Sequence, residues 1–343
     1  MILKRLLYIA YYLKEMNWPM LTKFMESVKL TKGISTAGLW ISMLQNALRY
    51  NISILEYFQF RFFEKNSAEK KNWAGTGYMY EYQLNMNLPA YRNILDDKTK
   101  FHKAYRRYFV HEAGDIEELQ AQPELARRLL SNPAGKVVLK VADGKCGAQV
   151  LIRPANDLDE TSLVSFMKKE GYDLAEAFIV QHPALQALSP SAVNTVRIFT
   201  QLNERNEVEI LGCRLRISVN SPVDNMAAGN MAAPLDDKTG VVTGPGVYSD
   251  ITKADEEFHP VTGIRIPGFH IPFWQEVLKM VESAALAHPQ NRSIGWDVVI
   301  TEQGPGLIEG NHDWCKLLWQ LPVKRGLKPL LEKHLNKKSN TIA

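Results

Sequence analysis

A chain of 343 residues that is 45% hydrophobic and 23% charged is long enough for two or three subdomains with real cores. Three scattered cysteines, Cys146, Cys213 and Cys315, exclude a disulfide framework and a zinc site, and point to a reducing, cytoplasmic compartment. The net charge of +4 comes from residues 1–50, which carry +5, so no general nucleic-acid surface is expected.

Residues 1–65 read as helices rich in Leu, Phe and Tyr. The longest apolar run there, "LLYIAYYL", has eight residues and is too short to span a bilayer. No small-residue cleavage site precedes "KEMNW", so no signal peptide is expected. A basic amphipathic helix within residues 1–50 is suited to peripheral contact with the inner face of a membrane. Packing on the domain behind it is the plainer expectation, and the one the sequence favours.

Further along, "NWAGTGYMYEYQLNMN" (72–87) reads as a loop or short strand. Residues 91–109 read as a helix entered near Asp96 or Asp97, and residues 114–135 as a helix ended by Pro133 and Gly135. The period then changes. Residues 136–153 read as strand, glycine loop, strand, and 174–181, 195–202 and 208–219 as further strands. A helix is expected at 273–288 and a closing helix at 327–335. This order of elements gives an α+β fold.

Between the last two helices lies "GWDVVITEQGPGLIEGNHDW" (295–314). Its alternation predicts a strand, a turn centred near Gln303 and Gly304, and a returning strand. Asp297 then stands opposite residues 309–311, and Glu309 and Asn311 share a face. Three oxygen-bearing side chains would converge at one end of a two-stranded ribbon, a set suited to a hard cation such as Mg²⁺. A strand-opening aspartate and a solvent-facing glutamate would explain the same letters.

Two other stretches carry chemistry. In "LKVADGKCGAQV", Lys140 ends a strand and Gly144 and Gly147 loosen the turn, so backbone N–H groups can approach phosphates beside a point charge. The Walker A spacing is absent, and a hairpin with a surface lysine is the commoner explanation. Arg214 and Arg216 in "CRLRISV" share a face, and Arg197 in "NTVRIFT" lies on a neighbouring strand. Arginines inside apolar strands need a carboxylate or phosphate partner. A structural salt bridge accounts for at least one of the three.

"DDK" at 96–98, "KVVLK" with its glycine loop, "LAEAFIVQH", "NTVRIFT", "CRLRISVNSPVDNMAAGN" and "WDVVITEQGPGLIEGN" follow the order of the ATP-grasp superfamily. The "QHPAL…NTVRIFT…VDN" run resembles the sugar-transfer-associated ATP-grasp family in particular. The resemblance covers about residues 90–335 and leaves the N-terminal helices unexplained. It implies an ATP-grasp fold of two α+β subdomains clasping ATP, at 91–182 and 183–335. A helical, basic region at 1–90 would precede them, and a tail at 336–343 would follow.

The resemblance also implies roles. Lys98 and Lys140 would contact ATP phosphates, with Gly144, Lys145 and Gly147 in the loop that closes over them. Glu176 and the backbone of Ala177, Phe178 and Ile179 would hold the adenine. Asp297, Glu309 and Asn311 would hold two Mg²⁺ ions, and Arg216, then Arg214 and Arg197, would stabilise an acyl phosphate. The loop "DGKCGAQ" departs from the pattern in having few glycines, and Cys146 there reads as a small filler beside Lys145. The implied partners are ATP, a carboxylate and an amine, and the implied reaction is amide formation on a surface-glycan or sugar precursor. A non-catalytic nucleotide-binding module and a membrane-peripheral scaffold are the alternatives.

Overall fold

The chain is described by a computed structural model over residues 2–144 and 150–335. It opens with α1 (Ile2–Lys14), α2 (Trp18–Lys32), α3 (Thr36–Tyr50), α4 (Ile54–Gln59), α5 (Ser67–Lys71) and α6 (Thr76–Met86). Side chains set most of the starts. Asn17, Ser35, Ser53 and Asn66 each accept a hydrogen bond from a first-turn backbone N–H. Gly33 and Asn51 end α2 and α3 in the left-handed region, at φ 67° and 56°.

Helix α6 occupies the stretch expected as a loop or short strand. Met79, Tyr82, Gln83 and Met86 recur at helical spacing and are buried together. Its first turn is held from outside by Glu56, whose carboxylate accepts from Thr76 N (2.9 Å) and Thr76 Oγ1 (2.7 Å). Gly75 and Gly77 press against Ile52 and Asn51, and a Cβ on Gly77 would lie 2.1 Å from Asn51 Oδ1. The glycines that weaken the helical signal are required by this contact.

Next come α7 (Asn93–Asp96) and α8 (Lys98–Tyr105), broken at Asp97, which accepts from Thr99 N and Lys100 N. The single helix expected at 114–135 is instead β1 (Ala113–Asp115), α9 (Ile116–Ala121) and α10 (Pro123–Leu130). Pro123 forces the break, since it lacks an N–H and pushes Gln122 out of helical geometry, to φ −133° and ψ 78°. Then follow β2 (Lys136–Lys140), β3 (Val150–Pro154), α11 (Glu160–Glu170) and β4 (Leu174–Ala177). The four strands form an antiparallel sheet in the order β1-β4-β2-β3. Leu125, Leu129, Leu139, Leu163 and Met167 fill the space between this sheet and its helices.

Strand β4 ends four residues short of its expected limit. Residues 178–181 cross to a second sheet, reached where His182 N donates to Ile300 O (2.7 Å). That sheet follows α12 (Pro183–Leu188) and holds β5 (Val196–Leu202), β6 (Val208–Ile217), β7 (Met231–Leu235), β8 (Ser293–Thr301) and β9 (Gly304–Asn311), with α13 (Trp274–Ala287) between β7 and β8. Helices α14 (Lys316–Gln320) and α15 (Lys328–Leu335) close the described chain. The strand order is β7-β6-β5-β8-β9, all antiparallel. Strand β7 was not expected: Met-Ala-Ala-Pro-Leu lacks the β-branched signal, and its Pro234 is tolerated because the strand is an edge.

Alternation along β5 divides the larger sheet. Val196 and Ile198 enter a core under α13 with Trp274, Val277, Trp296 and Val298. Phe199 enters a different core with Phe24, Phe58, Tyr82, Trp314 and Trp319. The N-terminal helices therefore share one core with the back of the second sheet. Polar contacts tie the two together: Lys316 Nζ reaches Glu56 (3.0 Å), and the Gln320 amide exchanges hydrogen bonds with Ala74 N (3.0 Å) and Ala74 O (2.9 Å). Ile9 and Tyr12 of α1 are buried in this core, as expected of a packing helix. No described helix is long and apolar enough to cross a membrane.

Candidate active site

The face of the second sheet that carries Phe199 also carries charge. Cross-strand register places Arg214, Arg197, Asp297 and Glu309 in one row across β6, β5, β8 and β9. Residues directly opposite in antiparallel strands point to the same side, so alternation alone aims these side chains together. A bulge follows Asp297, where the β8–β9 register shifts.

Asp297 is not at a strand end, as the sequence suggested, but inside β8 and only 2% exposed. Arg197 clasps it from β5 through Nε and through Nη2, the latter at 2.8 Å. Arg216 Nη1 donates to the same carboxylate at 2.8 Å. The second guanidinium nitrogen of Arg216 reaches Asp224 at 2.6 Å, and Asp224 is fixed by Thr195 N (2.8 Å) and Thr195 Oγ1 (2.6 Å). Burial works against the Asp297 carboxylate, but the Arg197 and Arg216 charges outweigh it and hold its pKa well below the usual carboxylate range.

Glu309 meets the opposite fate. Burial, and then the neighbouring Asp297 charge, push its pKa up. Burial raises Asp224 as well, against the pull of Arg216. The cluster thus gathers three carboxylates on two guanidiniums, and the imbalance falls mainly on Glu309. Asn311 Nδ2 donates to Glu309 Oε1 (3.1 Å), which leaves its carbonyl oxygen as a further acceptor. A hard divalent cation suits this excess of negative oxygen. Among the described residues no group of three or more His, Cys, Asp and Glu side chains forms a metal cluster. Both Asp297 oxygens accept from arginine, so Glu309 and Asn311 carry the less committed oxygens beside it.

Arg214 stays apart from this cluster. Its guanidinium folds back onto the carbonyls of Trp319 and Cys213, and among the described residues no carboxylate is bonded to it. Burial pushes its pKa down to about 10. It is a structural arginine, anchoring α14 to the sheet.

The other wall comes from the first sheet. Lys140, at the end of β2, pairs with Glu176 on β4 at 2.6 Å. His111 Nε2 lies 3.4 Å from the same carboxylate. Burial would raise the Glu176 pKa, but the charge of Lys140, followed by His111, holds it well below the carboxylate range. The Glu176 side chain is therefore committed to Lys140. Beyond it, Ala177 N donates to Glu112 O (2.8 Å) and Phe178 N to Lys136 O (3.2 Å), while Ile179 lies in the crossing between the sheets.

Lys98 stands between the walls, at the start of α8. Its N–H is bonded to Ala142 O (2.9 Å), and its Nζ donates to Val141 O (3.2 Å) and to Gly144 O. Burial lowers its pKa, opposed by the charge of Glu309 and helped by Lys140. Its electrostatic neighbours thus come from both sheets. Lys145, Cys146 and Gly147, expected in the loop beyond, lie outside the described residues.

The structure gathers Arg197, Arg216, Asp297, Glu309 and Asn311 in one cluster, sets Lys98 within electrostatic reach of Glu309, Lys140 and Glu176, and leaves Arg214 out. Sequence reasoning missed Asp224 and His111. Asp224 had a signal: a lone acid in "SPVDN", eight residues after an arginine that needed a second partner. His111 had none, since only the fold sets it beside Glu176.

The model of the sugar-transfer associated ATP-grasp family matches residues 78–336. Similar solved structures include the ATP-grasp ligase PsnB complexed with a minimal precursor, at 14% identity and TM-score 0.41, covering 74% of this chain and 63% of that one. An L-amino acid ligase from Bacillus licheniformis shows 13% identity and TM-score 0.40, over 82% of this chain and 54% of that one. A biotin carboxylase from Campylobacter jejuni shows 14% identity and TM-score 0.39, over 68% and 47%. The chain thus spans between about half and just under two thirds of the length of these proteins. No curated protein matches it significantly.

Proposed function

The chain belongs to the sugar-transfer associated ATP-grasp family, and from that premise we propose that it is an ATP-dependent carboxylate–amine ligase. A carboxylate oxygen attacks the γ-phosphorus of ATP, the bond to ADP breaks, and an acyl phosphate forms. An amine nitrogen then attacks the acyl carbon, phosphate leaves, and an amide results. The observation that carries this reading is the pairing of Arg197 and Arg216 with buried Asp297, beside Glu309, whose charge acts on Lys98 together with that of Lys140.

Phosphoryl transfer needs positioning and neutralisation of charge more than covalent help. Lys98 and Lys140 supply two cations for the phosphates. Lys140 is steadied by Glu176, which fixes the position of its charge. Arg216, held at one end by Asp224 and at the other by Asp297, presents a guanidinium whose orientation is set before substrate arrives. The backbone of Ala177, Phe178 and Ile179 would receive the adenine. Glu309 and Asn311 would hold Mg²⁺, which would supply positive charge to offset that of the phosphates. His182 caps α12 through Ala184 N (3.1 Å), and His312 bonds Asp96 (2.8 Å). Neither is placed as a base for an alcohol, and His111 is turned to Glu176, which favours a carboxylate acceptor. The family's description supports a glycan or sugar precursor as the setting.

The test is a panel of carboxylic acids, amino acids and uronic acids foremost, incubated with ATP, Mg²⁺ and hydroxylamine. Trapped hydroxamate with release of ADP and phosphate supports the proposal. Release of AMP and pyrophosphate would mean adenylation and would overturn it.

A further inference from the structure

Away from that cluster, α1, α3, α5, α6 and α15 line a half-open cavity of about 270 Å³. Its wall carries four cations, Arg5, Arg49, Lys71 and Lys328, against one acid, Glu81. None of these residues belongs to either sheet or to the site described above.

The acid does not balance the cations. Glu81 is already bonded to Lys4 Nζ (3.0 Å) and Tyr8 OH (3.3 Å). Lys328 has its own partner in Glu332 (3.1 Å). Among the described residues Arg5 Nη1 donates only to main-chain carbonyls at the end of α3, Leu48 O (2.6 Å) and Arg49 O (3.1 Å). Arg49 and Lys71 have no carboxylate partner among the described residues. A concave wall of one sign focuses its field into the space it encloses. Guanidinium groups there present paired donors that match phosphate oxygens.

A second observation points the same way. Tyr78 lines the cavity, and its hydroxyl is buried with no hydrogen-bond partner. A buried donor left unmade costs stability unless something else receives it. Burial also pushes the Tyr78 pKa up, so the group stays a donor. Lys328 sits 4.8 Å above the Tyr78 ring, and Lys328 N donates to Asn72 O (2.8 Å), which docks α15 on this wall. Residues from position 5 to position 328 must fold together before the cavity exists.

We infer that this cavity is a binding site for a phosphate-bearing anion, separate from the nucleotide cleft. The anion is either a soluble phosphate ester or the headgroup of a lipid, because α1, which supplies Arg5, also exposes Leu6, Leu7 and Tyr11. The inference stands independently of the ligase reading.

The experiment titrates inorganic pyrophosphate into the full chain by calorimetry, without Mg²⁺ or ATP. Arg49→Glu with Lys71→Glu reverses two exposed charges and should weaken binding roughly tenfold or more, with the melting temperature unchanged. Tyr78→Phe removes one donor and should weaken it a few-fold. Lys98→Ala with Lys140→Ala should leave this binding in place. Equal affinity in the wild type and the charge-reversal variant would overturn the site. So would loss confined to the lysine variant, since pyrophosphate would then occupy only the cleft. Sedimentation with phosphatidylglycerol vesicles separates the two sources. Vesicle binding that pyrophosphate competes away, and that charge reversal abolishes, assigns a lipid headgroup. Pyrophosphate binding without vesicle binding assigns a soluble ester.

Discussion

Arg197 and Asp297 face each other across adjacent strands, and the guanidinium of one clasps both carboxylate oxygens of the other, with Nη2 to Oδ2 at 2.8 Å. Both residues are nearly sealed from water, and the pair is shared with Arg216. A buried ion pair adds little when intact but is expensive to break, because the survivor stays buried and uncompensated. Asp297→Ala should therefore lower the unfolding free energy by about 3–5 kcal/mol, read by denaturant titration. Loss of activity in that variant would not by itself identify a metal ligand. An unfolding midpoint equal to wild type would show that the pair is not buried as described.

Glu309 is the cleaner probe of metal. Its folded-state pKa lies above the ordinary value, so the native state keeps a proton that the unfolded state has lost. Its favourable contribution is complete below the ordinary carboxylate pKa and disappears as pH rises through the raised value. Glu309→Gln should therefore melt above wild type at pH 7 to 8, with the difference shrinking below about pH 4.5, the unperturbed value. Mg²⁺ should stabilise wild type and leave the variant unmoved. A Mg²⁺ shift of equal size in both proteins would remove Glu309 from the ligand set.

The three arginines should separate by assay. Arg216→Ala should reduce hydroxamate formation by about 10²- to 10³-fold while ATP still protects the protein from heat. Arg214→Met should lower the melting temperature, because Trp319 O loses its donors, yet keep hydroxamate formation near wild type. Equal catalytic losses in the two variants would contradict the placement of Arg214 outside the cluster.

Asp224 touches no expected substrate atom and acts by holding Arg216. Asp224→Asn keeps an acceptor for Thr195 but weakens the grip on the guanidinium. The expected result is a fall in kcat with the KM for ATP unchanged. A rise in KM for ATP alone would assign Asp224 to the nucleotide instead.

Removing residues 1–16 should destabilise the protein, since Ile9 and Tyr12 leave a core that also contains Phe199 and Trp319. Differential scanning calorimetry would show a lower melting temperature for the truncated chain. An unchanged melting temperature would mean that α1 is not part of that core.

Much of the second sheet was legible in the sequence, because β5, β6, β8 and β9 alternate with period two and turn signals bound them. The register of Asp297 against Glu309 followed from the hairpin alone. What could not be read was which acid each arginine would find. Arg197 and Asp297 lie 100 positions apart, and their pairing depends on strand order, which periodicity does not encode. Arg214 and Arg216 look equivalent as letters, and only their partners separate them, main-chain carbonyls for the first and Asp224 and Asp297 for the second. Helix α6 was hidden by glycines that serve a contact with Asn51, and β7 by a composition that only an edge strand tolerates.

The bond between Ala74 and Gln320 joins residues 246 positions apart. During synthesis at roughly 5–20 residues per second, the opening helices would wait about 12–50 s for α14 to emerge. Throughout that interval Phe24, Phe58 and Tyr82 lack Trp314 and Trp319 as neighbours. The nascent chain should accordingly be a client for holding chaperones until its last hundred residues are made.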